Sequence, residues 1–335
     1  MTTDKYGLEN IIREFYEEFK GYLKRTGIEI KGLRLRILES SDSLLELSHM
    51  INTYNINKLR QELNTIDKSL LEQISNYDNI YIIKKENLRE FYIGEIYLLR
   101  QIYNTDDIKE LNKRMLKYVV HATKNENAPA IGIPKIKEIY IIKDRLENGI
   151  DEILNRLGPI NINRPSIIRL GSPLFGVASA PLYTDGKNIK KDVAKVVAGN
   201  TIIHEAVHFI TEREELADWE LSASALQYIM YIDMYNLLKY SKTYKIIKEN
   251  IIACKNYTKN LVTLGGHLMV TGNFLKGLPE EYVNVFRRAP YNLGECYASI
   301  IINRNKKSSY LNIKDIIEEV KSLSVLDALI EISYY

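Results

Sequence analysis

The sequence predicts a mainly helical α+β protein. Three observations carry that expectation. Apolar residues recur at a helical period along most of the chain. Strand-like runs are few and short. The polar segment at residues 124–129 interrupts the periodic pattern, so two regions are expected. In the first region, Leu8, Ile11, Ile12, Phe15, Phe19 and Leu23 keep a period near 3.6 and predict a helix. Similar stripes occupy residues 44–51, 59–74 and 88–103. The strand-like runs are residues 28–37, 80–83 and 139–142. The domain organisation read from this is a helical N-terminal domain over residues 1–125 and a second domain over residues 126–335.

In the second region, residues 144–157 read as a helix ended by Gly158-Pro159. Residues 166–170 and 176–183 read as short strands. Pro181 in the latter marks it as an edge strand, because proline cannot donate to a ladder. Asp185-Gly186 is a turn signal. A helix follows over residues 189–210, then two long helices over 212–240 and 244–264, the last broken by Gly265-Gly266. Residues 291–303 and 313–320 read as the final helical pieces.

Composition excludes several classes. The 335 residues, 45% of them hydrophobic, are enough for one large core or two modest ones. Lys and Arg number 46 against 43 Asp and Glu, and a net charge of +3 gives no electrostatic case for nucleic acid. No apolar run approaches the length of a membrane span. The first residues are polar and acidic, without a signal-peptide pattern. Two cysteines, Cys254 and Cys296, exclude a disulfide framework but leave a single bridge open. A reducing, cytoplasmic setting is the expectation.

The chemistry is concentrated in His204-Glu205-Ala206-Val207-His208. Histidines four apart on a helix project from one face, one turn above the other. Two imidazoles so placed can hold one zinc ion. Glu205 is turned about 100° from His204, so it borders such an ion without ligating it. A carboxylate there can take a proton from a water that the metal has acidified.

This motif resembles the zincin metallopeptidases. The resemblance spans about residues 166–303, because residues 176–183 look like the edge strand that pairs with extended peptide in that group, followed by a turn and the helix. It implies a small sheet over the active helix, a Zn2+ cofactor, and a peptide or protein as substrate. It also implies a third ligand. Glu214 and not histidine stands six residues after His208, and Thr211 occupies the metzincin glycine position, so the resemblance is to gluzincins. There the third ligand is a glutamate on a later helix, often followed by alanine three residues on. Glu295, followed by Ala298 in an apolar run, is the preferred candidate. Glu214, or its neighbour Glu215, is the alternative, in a segment resembling a Glu-x-x-Ala-Asp motif whose Asp218 would steady a ligand histidine. Thr211 and Glu214 also have the form of a capping box. Tyr291, or else His267, is expected to donate a hydrogen bond to the developing oxyanion. Trp219 reads as core, and His49 and His121 as ordinary helical histidines.

The expected function is zinc-dependent hydrolysis of a peptide bond with Glu205 as general base. The alternatives are a specialised protease with a single target, or a non-catalytic helical binding protein with a structural or absent metal. The N-terminal helical region is expected to bind a protein partner, or to shape or cover the cleft.

Overall fold

The computed structural model describes residues 4–75, 79–125, 128–158, 165–171, 177–263, 280–306 and 311–335. Helix α1 (Leu8–Thr26) forms as its stripe predicts, with Leu8, Ile11, Ile12, Phe15, Phe19 and Leu23 all buried. The chain then builds a separate unit, residues 30–148, before returning to the unit that holds α1 and residues 149–335.

The inserted unit forms strands at the three strand-like runs and corrects the expected division of the chain. Its strands are β1 (Arg34–Leu38), β2 (Ile80–Ile83), β3 (Ala130–Ile133) and β4 (Glu138–Ile142), in the order β2-β1-β4-β3. β1 runs parallel to β2 and β4, and β3 antiparallel to β4. Helices α2 (Ser41–Thr53), α3 (Ile56–Thr65), α4 (Lys68–Ser75), α5 (Leu88–Tyr103) and α6 (Ile108–Lys124) accompany them. The region before residue 125 is mostly helical, with β1 and β2 at the runs expected to be strands. The chain does not divide at residue 125, because β4 lies beyond that point and pairs with β1 along its whole length. A sheet cannot be cut between hydrogen-bonded strands, so the division falls at 29/30 and 148/149. Residues of α7 (Lys143–Leu157) fall in both units.

The first unit carries a hairpin and a set of helices. β5 (Ser166–Leu170) and β6 (Ala180–Thr184) pair antiparallel, with Arg169 opposite Pro181. Then come α8 (Ile189–Val207), α9 (Leu216–Met234), α10 (Ser241–Thr263), α11 (Glu280–Arg304), α12 (Ile313–Ser322) and α13 (Val325–Tyr334). α9 is central: every residue from Leu221 to Ile232 is buried, so it packs on all sides. Its partners approach closely. A Cβ at Gly294 of α11 would lie 2.3 Å from the Leu221 carbonyl oxygen, so only glycine allows this helix contact. A Cβ at Gly199 of α8 would lie 2.3 Å from the Phe15 ring, which fixes α1 against α8 in the same way.

Cys254 of α10 and Cys296 of α11 form a disulfide. No described helix is long and apolar enough to cross a membrane. The Gly265-Gly266 break, His267, Pro159 and Gly176 lie outside the described residues.

Candidate metal centre

The site is built on the last turn of α8. Asn188 caps the helix start by accepting from the Lys191 amide, at 3.1 Å. From there Val196, Asn200 and His204 follow one another at four-residue steps along one face. The regular helix ends at Val207, not at residue 210, but His208 keeps helical angles (φ −54°, ψ −28°). The two imidazoles therefore remain one turn apart, with ring centroids 4.9 Å from each other and nearly perpendicular planes. The carbonyl end of a helix carries partial negative charge, which suits a cation beside His204 and His208.

The third carboxylate comes from α9, and it is Glu220. Its Oε2 lies 3.1 Å from His204 Nε2 and 3.4 Å from His208 Nε2. One ligand atom from each of the three residues falls within 4.8 Å of the others, the one such group among the described residues. Residues 209–215 make the connection that turns the chain back, and α9 starts at Leu216 with Glu215 as its N-cap. Glu220 thus sits in the second turn of a helix that runs back past α8.

Neither expected third ligand is in this group. Glu214 is exposed in the connection, and the capping box with Thr211 does not form; Thr211 Oγ1 instead donates to the Val207 carbonyl, at 3.1 Å. Asp218 does not steady a histidine: its Oδ1 accepts from the Val325 amide, at 2.8 Å, and its Oδ2 from Arg213, at 3.2 Å. Glu295 is buried in α11, 3% exposed, and its Oε2 has no hydrogen-bond partner among the described residues. It stands four residues beyond Tyr291, or about 6 Å farther along the helix axis. Tyr291 is the residue of α11 that reaches the site, and its ring stacks on His204 with centroids 5.8 Å apart. The missed signal was Glu220-Leu-Ser-Ala223, a glutamate with alanine three residues on, in the first helix after the motif.

The surroundings hold each of these side chains. His204 Nδ1 is bonded to Gln227 Oε1, at 2.9 Å, and Gln227 Nε2 donates to Asn200 Oδ1, at 3.2 Å. Trp219, read from sequence as core, packs edge-on against His208 with centroids 4.6 Å apart and donates from Nε1 to the His208 carbonyl, at 3.3 Å. Glu205 is half-buried beside them, near enough for its charge to act on both His204 and Tyr291.

The electrostatics draw positive charge to one point. Burial opposes ionisation of Glu220, yet hydrogen bonds and charge from His204 and His208 hold its carboxyl well below the usual range. Burial likewise works against a charged His204, and Glu220 outweighs it, leaving the imidazole above its ordinary value. Exclusion of water from around the Tyr291 hydroxyl, and then the Glu220 charge, raise that phenol.

The donor set fits a divalent metal. With Nδ1 bonded to Gln227 Oε1, His204 Nε2 is the nitrogen that faces Glu220 Oε2; it carries the proton of the ion pair and is the nitrogen a metal ion takes once that proton leaves. A divalent cation can take the place of that proton between Nε2 and Oε2. Two imidazoles and a carboxylate are a ligand set that zinc takes in catalytic sites.

No protein-family model, curated protein or solved structure matches this chain.

Proposed function

We propose that this chain is a zinc-dependent hydrolase acting on peptide bonds, a zincin-type metallopeptidase of the gluzincin kind. The observation that carries the reading is the meeting of His204 Nε2, His208 Nε2 and Glu220 Oε2 beside Glu205, the residue the motif provides as general base. His204, His208 and Glu220 would hold the zinc, which when bound polarises a carbonyl and acidifies a water.

The chain's own residues do the rest. Glu205 accepts a proton from the attacking water as its oxygen bonds to the carbonyl carbon. The same carboxyl then gives that proton to the nitrogen as the C–N bond breaks, so an acid and an amine leave. Tyr291, stacked on His204 at the lip of the site, donates its O–H to the carbonyl oxygen as negative charge gathers there. β6 supports an extended peptide as substrate, because among the described residues β5 pairs with one of its edges and nothing with the other.

The test is the Glu205→Gln protein, which keeps the ligands and loses the base. It should bind zinc as the parent does and lose peptide hydrolysis by at least about 100-fold. Undiminished cleavage by the variant would remove Glu205 from its role.

A further inference from the structure

Behind His204 the hydrogen bonds run in one direction. The Val196 carbonyl oxygen can only accept, and Asn200 Nδ2 donates to it at 2.9 Å. This fixes the Asn200 amide, so its Oδ1 faces Gln227 and accepts from Nε2 at 3.2 Å. Gln227 is fixed in turn, and its Oε1 faces His204 Nδ1 at 2.9 Å. An oxygen there requires a proton on Nδ1. A backbone carbonyl on α8 thereby decides, through two amides, that Nδ1 carries a proton and that Nε2 is the nitrogen left for a metal. Asn200 and Gln227 are both buried, at 3% and 8% exposure, so water is poorly placed to substitute for either.

We infer that Asn200 and Gln227 are positioning residues that lock His204 in its Nδ1–H form and so keep Nε2 open to a metal. His208 has no such device among the described residues, where its buried Nδ1 meets no partner. The relay makes His204 the ligand whose tautomer is set before metal arrives. Zincin-type ligands are commonly steadied by a carboxylate. Here a neutral amide does it, and an amide can be reversed, which is why Asn200 is needed behind it.

The inference rests on the metal reading for the use of Nε2, and one experiment separates the two. Long-range 1H–15N spectra of the metal-free protein at pH about 9, where an imidazole is ordinarily neutral, report the tautomer of His204 directly. The parent should show Nδ1–H. In Asn200→Leu, Gln227 is free to rotate and present its Nε2–H to the ring, so the Nε2–H form should appear. Zinc affinity by chelator competition should fall by about 10- to 100-fold. Asn200→Leu combined with Gln227→Glu should restore it, because a carboxylate accepts in either orientation. A merely structural loss would make the double variant no better than the single one. An Nε2–H His204 in the parent overturns the relay without any variant having to fold. So does an Asn200→Leu protein with unchanged tautomer and affinity. A parent that shows Nδ1–H yet binds no zinc leaves the relay standing and defeats the hydrolase reading instead.

Discussion

Glu220 and Glu295 are two buried carboxyl groups with opposite fates. Two imidazoles face Glu220 and keep it ionised. Glu295 has no such partner, and burial pushes its carboxyl well above the ordinary range, so it is held neutral. Both states of the chain bind this proton at low pH. Above about pH 4.5 the unfolded chain releases it while the folded chain keeps it. Stability therefore falls as pH rises, by at most about 1.4 kcal/mol per pH unit for one group. Glu295→Gln has no proton to release. Urea denaturation at pH about 5 and about 8 should show the variant gaining on the parent as pH rises. A constant difference between the two proteins would mean that Glu295 titrates normally. The contrast also shows what was hidden at this scale. A lone glutamate in an apolar run signals a buried carboxyl, and Glu295 is one. Sequence cannot tell burial beside two imidazoles from burial beside none.

At the scale of elements, one contact decides the site: α9 against α11, closed at Gly294. It brings Tyr291 over His204, and the Cys254–Cys296 bridge ties the same helix to α10. Gly294→Ala would drive a methyl group into the α9 backbone. It should cost about 1–3 kcal/mol, as overpacking does, and weaken hydrolysis by moving Tyr291 off the site. Thermal melting checks the first effect and turnover the second; a variant as stable as the parent would show that the helices do not need this approach. The helix of the motif was legible because spacing alone places two histidines on one face. The arrival of Glu220 was not. A capping box at Thr211 and Glu214 would start the next helix at once and leave no room for the chain to return. The helix in fact starts at Leu216, and the intervening residues make the turn.

At the scale of the whole molecule, the chain interrupts the unit with the candidate metal centre to build residues 30–148. That insertion was not legible for a physical reason. Its sheet pairs β1 with β4 across about a hundred residues, and periodicity reports only local order. Charge also lies inside it. Arg36 stands in the strand-like run at residues 28–37. It is buried, with Nε 3.1 Å from Glu138 and Nη2 3.4 Å from Glu95. Such a cluster replaces the apolar run that usually marks a strand covered on both faces. The hairpin β5–β6 and α8, where pairing is local, were read nearly as they stand.

The central claim is that His204, His208 and Glu220 together bind zinc. Metal analysis of the purified parent, Glu220→Ala and Glu295→Gln proteins after dialysis tests it directly. About one zinc per chain is expected in the parent and in Glu295→Gln, as for a three-ligand site, with loss of most of it in Glu220→Ala. A parent without zinc, or a Glu220→Ala protein that holds it as firmly as the parent, would contradict the claim.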